Sequence, residues 1–314
     1  MKTAVRLTLI GLVGFILGFI ATSWRSDIPV EEIIEKYAYP NSQFLELDGM
    51  NVHYRIDGDT GETIVLLHGT ASSLHTWEGW TAALSPYYRV VSFDLLGFGI
   101  TGPEPNGDYT RERYLRFIDD VLVKLNVDSC HMAGNSFGGY MAWSYAVKHP
   151  EKVKKLAILD ASGYPRGDQP TPISFKMQKM EWLKPVLTNI TPKFLIRKSV
   201  KVVYYDESKV TDQLVQRYYD LLLREGNREG LMGKSQQITY DYTDEIKRIQ
   251  CPTLIMWGDT DRLVNVDAAP RFHADIPNSE LLIYENMGHV PMEEIPQRSA
   301  QDFRAFLEKN QPSS

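Results

Sequence analysis

The feature that most constrains this chain is a Gly-x-Ser-x-Gly pentapeptide, Gly134–Gly138, between an apolar run and a helical pattern. The apolar run Cys130–Ala133 has strand character, and Tyr140–His149 follows with helical spacing. A sharp strand-to-helix turn forces unusual backbone angles on its central residue, and glycines two positions away remove Cβ atoms that would clash there. The pattern therefore predicts that the Ser136 hydroxyl is held clear at the end of a sheet, as a nucleophile would be.

A serine hydroxyl needs a base to attack a carbonyl at neutral pH, and the base needs an acid that orients it. Two candidates follow apolar strand patterns downstream: Asp261 comes after Thr253–Gly258, and His289 comes after Leu281–Tyr284. The carboxyl ends of the strands in an open parallel sheet line its ligand crevice. We therefore predict Ser136 as nucleophile, His289 as base and Asp261 as the orienting acid.

Other acids and histidines compete for these roles. Asp259 lies two residues before Asp261, and Asp160 follows the preceding predicted strand. His68 follows another strand and is expected to support its loop through hydrogen bonds, while His75 is a candidate for lining the cleft. The remaining histidines fall in a predicted hairpin, a strand and two helices, where histidines are commonly structural: His53, His131, His149 and His273.

Five pieces of sequence, in order and spacing, resemble the α/β-hydrolase superfamily over about residues 44 to 309. They are His68-Gly69-Thr70, Asp94–Gly99, the serine pentapeptide, Gly258–Asp261 and Gly288-His289. The resemblance implies an α/β fold: a mostly parallel twisted sheet with helices on both faces and a helical cap insertion. It also implies that the backbone N–H groups of Thr70 and Phe137 form an oxyanion hole.

The chain divides into five predicted segments. They are an N-terminal membrane anchor or signal segment (1–25), a connector (26–43), the first part of the core (44–163), the helical cap (164–250) and the second part of the core (251–314). Lys2 and Arg6 precede Leu7–Trp24, an uncharged apolar stretch at the lower limit for a membrane span. We expect an uncleaved anchor with the catalytic domain outside, and a secreted protein after signal cleavage is the alternative.

Charge and cysteine content exclude several classes of function. A net charge of −6 and a pI near 5.7 argue against binding to nucleic acid. Cys130 and Cys251 each begin a predicted strand, and the resemblance places one strand between them, too far apart for a disulfide. We expect two buried free thiols, no metal site and no cofactor, because no Cys/His cluster has zinc spacing and a serine triad needs none.

The resemblance also narrows the reaction. Ser136 occupies the position where related dehalogenases and epoxide hydrolases carry Asp, and the loop Gly69–Ser73 is less glycine-rich than in carbon–carbon bond hydrolases. We therefore predict a carboxylic ester hydrolase, an esterase or lipase acting through an acyl-enzyme on a small-molecule or lipid ester. The alternatives are a carbon–carbon bond hydrolase or an acyltransferase on the same triad, or a ligand-binding member without catalysis.

Overall fold

A computed structural model describes residues 14, 18, 22–165, 180–240 and 242–309. Most of the predicted N-terminal anchor and part of the predicted cap lie outside these residues, so the anchor stays a prediction. Within the described residues, no helix combines the length and the apolar character that crossing a bilayer requires.

Eight strands of the described residues form one sheet. They are β1 (Gln43–Leu47), β2 (Met50–Asp57), β3 (Thr63–Leu67), β4 (Arg89–Phe93), β5 (Cys130–Asn135), β6 (Val153–Leu159), β7 (Thr253–Gly258) and β8 (Ser279–Tyr284). Their order is β1-β2-β4-β3-β5-β6-β7-β8. The first two strands pair antiparallel, β2 pairs antiparallel with β4, and every other neighbouring pair is parallel. The predicted mostly parallel α/β sheet is confirmed.

The described residues form eleven α-helices, and several of them pack on each face of the sheet. They are α1 (Val30–Tyr37), α2 (Glu78–Leu84), α3 (Arg111–Lys124), α4 (Phe137–Lys148), α5 (Lys184–Leu187), α6 (Lys193–Val203), α7 (Asp212–Leu223), α8 (Asn227–Gln237), α9 (Ala268–Asp275), α10 (Pro291–Glu294) and α11 (Pro296–Glu308). Short 3₁₀ helices span Leu74–Trp77, Glu181–Leu183, Glu207–Lys209 and Thr243–Arg248.

The sheet has a hydrophobic core on each face because successive strand residues point to opposite sides. In β3, Val65 and Leu67 belong to the core beneath α3 and α4, whereas Ile64 and Leu66 belong to the core beneath α2 and α11. All four side chains are fully buried. Packing on both faces fixes this central strand in position, so the loop that follows it, beginning at His68, starts from a rigid end.

The β1–β2 hairpin turns at Asp48 and Gly49, which both have positive φ angles of 50° and 78°. Two central residues with positive φ are the requirement of the tight hairpin turn that an Asp-Gly pair favours. The register across the turn pairs Leu47 with Met50, so the hairpin predicted from the sequence is present.

Helices α5 to α8 lie between β6 and β7 in the sequence, and residues at the boundary between the predicted anchor and the connector contact this region. Trp24 forms a bridge with Ile190, and Arg228 in α8 donates to the Asp27 carboxylate at 2.6 Å. The segment that precedes the core therefore contacts the helices that follow β6.

The two cysteines are confirmed as buried free thiols. Cys130 begins β5 and Cys251 precedes β7, with β6 between them. Burial raises the pKa of the Cys130 thiol to about 12 and that of Cys251 to about 11, so neither supplies a thiolate near neutral pH.

Candidate active site

Ser136 lies between β5 and α4 with φ 55° and ψ −115°, a strained conformation for a residue with a Cβ. The glycines on either side are required by close backbone contacts. A Cβ at Gly134 would lie 2.3 Å from the Gly138 carbonyl oxygen, and one at Gly138 would lie 2.1 Å from that of Leu67. The sharp strand–turn–helix geometry predicted for the pentapeptide is therefore present.

Backbone hydrogen bonds hold this turn in place. The Ser136 N–H donates to the Leu159 carbonyl at 2.9 Å, and the Ser136 carbonyl accepts from the N–H groups of Tyr140 and Ser162. Among the described hydrogen bonds, none engages the Ser136 hydroxyl. The position of Ser136 is therefore set by its backbone hydrogen bonds. A catalytic serine commonly makes only loose side-chain hydrogen bonds before the substrate binds.

Asp261 and His289 meet in the structure. The Nδ1 atom of His289 lies 2.7 Å from Oδ2 of Asp261, and both side chains are almost fully buried. The other Asp261 oxygen accepts from the backbone N–H groups of Leu263 and Val264. A carboxylate fixed in this way holds the proton of a neutral imidazole on Nδ1 and leaves Nε2 to accept a proton.

The loop that carries His289 is tied to the strand end next to the serine. The Asn135 side chain, immediately before Ser136, donates to the carbonyls of His289 and Leu159 at 2.9 Å and 3.2 Å. The His289 N–H donates to the carbonyl of Val203, at the end of α6, at 2.7 Å. A hydrogen bond from the residue next to Ser136 therefore joins the end of β5 to the loop that carries His289.

Among the described hydrogen bonds, neither rival acid is a partner of the His289 ring. Asp259 accepts from the backbone N–H of Met287, and Asp160 accepts from that of Gly258 at 2.9 Å. Burial raises the pKa of Asp160 well above its usual range, and the nearby charge of Asp261 raises it further. Asp160 is therefore a neutral acid beside the Asp261 carboxylate.

Asp160, Asp261 and His289 each offer an atom within 4.8 Å of the others, a spacing that would suit a metal ion. In this structure, His289 and Asp261 are hydrogen-bonded to each other, and the raised pKa of Asp160 favours its protonated form beside them. That arrangement favours proton chemistry at the histidine.

The loop proposed for the oxyanion hole packs directly on the serine. A Cβ at Gly69 would lie 3.2 Å from the Ser136 Cβ, so glycine allows the closest approach. His68 supports this loop as predicted: its Nδ1 donates to the Gly69 carbonyl at 2.8 Å and its Nε2 accepts from the Leu95 N–H at 2.9 Å. Burial lowers the pKa of His68, so the ring is neutral and has no free nitrogen with which to act as a base. The Thr70 N–H therefore lies on a loop that packs beside Ser136.

Sequence reasoning missed Glu294 in α10. Its carboxylate accepts from the N–H of Gly288 at 2.7 Å and from those of Tyr205 and Asp206 at 3.1–3.2 Å. It thereby ties the residue before His289 to the chain that leaves α6. Glu294 lies only five residues after His289, which could have indicated a supporting role. An acid in the first turn of a helix is too common, however, for the sequence to single it out.

Sequence reasoning also missed Lys234, in α8. Its Nζ donates to the Thr70 hydroxyl at 2.9 Å and lies 4.3 Å from the ring centroid of Phe137. No motif surrounds it in the sequence, and it lies 164 residues from Thr70. Only the fold brings this cation to both residues of the predicted oxyanion hole.

Comparison with known proteins gives the family. The sequence of residues 62–296 matches the model of a protein family that is described as having the alpha/beta hydrolase fold. A 2-hydroxy-6-oxononadienedioate/2-hydroxy-6-oxononatrienedioate hydrolase from Cupriavidus pinatubonensis is 31% identical over 263 residues, covering 79% of this chain and 89% of its own length.

Two solved structures are similar over most of the chain. A bacterial membrane phospholipase A has 25% identity and a TM-score of 0.74, covering 98% of each chain. A meta-cleavage product hydrolase from Pseudomonas fluorescens has 25% identity and a TM-score of 0.73, covering 86% of this chain and 98% of its own.

These relatives correct our main functional prediction. A 6-oxo dienedioate is a di-acid with a ketone and contains no ester, so its hydrolysis breaks a carbon–carbon bond. The prediction of a carboxylic ester hydrolase is therefore wrong on this comparison, and the findings favour the alternative class, the carbon–carbon bond hydrolases. The more general prediction, a hydrolase with this fold, is confirmed, and the chain belongs to the α/β-hydrolase family.

Proposed function

We propose that this protein hydrolyses the carbon–carbon bond beside the ketone of a 2-hydroxy-6-oxo dienoate. The observation that carries this proposal is the 31% identity, over 79% of the chain, to a hydrolase named for such a dienedioate. The buried Asp261–His289 pair beside the Ser136 turn supplies groups suited to attack on a ketone.

The hydrogen bond between His289 and Asp261, and the turn at Ser136, support the following roles. His289 takes the proton of the Ser136 hydroxyl as the oxygen attacks the C6 ketone, and Asp261 stabilises the charged imidazole. The N–H groups of Thr70 and Phe137 stabilise the oxyanion on C6, each donor contributing about 3–4 kcal/mol in comparable sites.

Breaking a carbon–carbon bond requires a leaving carbon that can carry an electron pair. In the 2-oxo form of the substrate, with a proton added at C5, cleavage of the C5–C6 bond places the pair on C5. The neighbouring double bond delocalises it onto the C2 oxygen, which gives a dienol after protonation by His289. Water then hydrolyses the acyl group on Ser136, so that one water is consumed and the C6 fragment leaves as a carboxylic acid.

The test is turnover of 2-hydroxy-6-oxononadienedioate. Turnover is measured by the loss of the substrate's dienol absorbance, and the two acids formed are identified. We expect Ser136→Ala to lower kcat by roughly 10⁴- to 10⁶-fold, as loss of a triad serine does elsewhere. Ser85→Ala, in the loop after α2, is the matched control and should behave as wild type.

Two outcomes would contradict the proposal. If a fluorophosphonate labels Ser136 but the dienedioate is not turned over, the serine is activated and the substrate class is wrong. If Ser136→Ala keeps nearly full activity on the dienedioate, another group is the nucleophile.

A further inference from the structure

Lys234 is a buried cation that the proposed mechanism does not use. The residue is 6% exposed, and no acidic side chain of the described residues forms an ion pair with it. Its ammonium group has three N–H donors, of which the described hydrogen bonds account for one, to Thr70. Burying a charge without an opposite charge is costly, so a position that keeps one calls for an anionic partner.

Helix α8 holds this cation in a fixed place. At its start, the Asn227 side chain donates to the Gly99 carbonyl at 2.9 Å, and near its end the Gln237 side chain accepts from the Tyr109 N–H at 2.9 Å. Between them, a Cβ at Gly233 would lie 2.4 Å from the Tyr109 ring, so glycine lets the helix pack closely. The lysine is therefore anchored on both sides along its helix.

The ammonium contacts the same two residues whose backbone N–H groups are the proposed oxyanion donors. It bonds the Thr70 hydroxyl and lies over the face of the Phe137 ring, which is itself fully buried. A negative group bound by Lys234 would therefore lie beside the side chains of Thr70 and Phe137, the two residues that flank the proposed oxyanion position.

We propose that Lys234 binds the carboxylate on the acyl side of the substrate and makes the enzyme select acyl groups that end in a carboxylate. The proposal rests on the proposed function for the identity of the substrate. In a 6-oxononadienedioate, the C9 carboxylate is three bonds from the C6 carbonyl carbon, whereas the C1 carboxylate is five bonds away along a stiff conjugated chain. Because Lys234 lies against the oxyanion residues, the nearer carboxylate fits its reach.

Two reporter esters test this without the dienedioate. Mono-p-nitrophenyl succinate delivers the same four-carbon acyl group with its free carboxylate, and p-nitrophenyl pentanoate delivers a neutral chain of similar length. We expect wild type to prefer the succinate ester in kcat/KM. Lys234→Met should lower that preference by roughly 10- to 100-fold, mainly through KM, because a hydrogen bond to a charged group is lost.

Two variants complete the experiment. Lys234→Arg keeps the positive charge and should retain most of the preference. Lys201→Met, at a partly exposed lysine of α6, should keep all of it. In wild type, succinate should also inhibit more strongly than butyrate, a measurement that does not depend on any variant folding.

A structural lysine would give a different result. If Lys234→Met lowers both esters equally, or if succinate and butyrate inhibit alike, the residue only supports the Thr70 loop and the proposal is overturned. Failure to hydrolyse the dienedioate, with the preference still dependent on Lys234, would overturn the proposed function and leave the carboxylate site standing.

Discussion

Two regions reach the same site by different physical means: the loops after the carboxyl ends of β5, β7 and β8, here called the rim, and helices α6 to α8 of the predicted cap. Ser136, Asp261 and His289 each follow the carboxyl end of a parallel strand, and backbone hydrogen bonds between neighbouring strands fix those ends. Lys234 reaches the site from helix α8, whose side chains at Asn227 and Gln237 bond to backbone groups of Gly99 and Tyr109. The strand ends are positioned by the sheet itself, whereas α8 is positioned by side-chain hydrogen bonds and close packing.

The residues at the strand ends carry out the proposed reaction, whereas Lys234 selects among substrates. A proton relay at a strand edge suits attack on many carbonyl compounds, because the same three groups act on any of them. A buried cation in the cap distinguishes substrates by their charge. Variants of the rim should therefore reduce turnover of every substrate, and variants of the cap should change the ranking of substrates.

Among the variants that compare the strand ends with the helices above them, the largest effect is expected for Asp261→Asn. The amide cannot hold the His289 proton on Nδ1 as the carboxylate does, and comparable triads lose roughly 10⁴-fold in kcat. Steady-state kinetics and a thermal melt measure the loss and show whether the fold is kept. Asp259→Asn is the control, and an equal loss there would mean that the orienting acid is misassigned.

An intermediate effect is expected where the rim and the cap are joined, for Glu294→Gln. The amide leaves one of the N–H groups at Gly288, Tyr205 and Asp206 facing an NH₂ group, and an unsatisfied buried donor costs about 1–3 kcal/mol. We expect a lower melting temperature and a roughly tenfold lower kcat.

The exposed Glu308→Gln, which removes only a surface ion pair with Arg304, should change neither. If Glu294→Gln were stable and fully active, the rim would not depend on the cap through this carboxylate.

The smallest effect on activity is expected for Asp160→Asn, although Asp160 lies beside Asp261. Asp160 is already neutral, so an amide preserves its charge state, and Asn tolerates the positive φ of 47° found there. We expect less than about a tenfold change in kcat, against roughly 10⁴-fold for Asp261→Asn.

The same variant predicts the direction in which the difference in melting temperature between variant and wild type changes with pH. Because the folded-state pKa of Asp160 is raised, the folded protein binds a proton there that the unfolded chain releases above about pH 4. The wild type therefore loses stability from this group as pH rises from there toward the raised pKa, and Asp160→Asn does not. The melting temperature of the variant relative to wild type should be higher at pH 8 than at pH 5. The opposite trend would show that Asp160 is ionised in the folded state.

The local parts of the site were predictable. The glycines at 134 and 138 are demanded by contacts that any such turn must make, and the loop histidine His68 has the hydrogen bonds expected of it. The reaction class was not predictable in the same way. The glycine content of Gly69–Ser73 suggested an ester hydrolase, but that loop supplies backbone donors to any oxyanion and does not report which bond is broken.

The sequence by itself determined the fold, the turn at Ser136 and the order of the strand ends that carry its partners. These features depend on neighbouring residues, whose spacing sets the hydrophobic pattern and the backbone angles. Only the tertiary structure decided that Asp160 is a neutral neighbour of Asp261 and that Lys234 lies against Thr70 and Phe137. Burial and contacts across more than a hundred residues set charge and selectivity, and no local pattern encodes them.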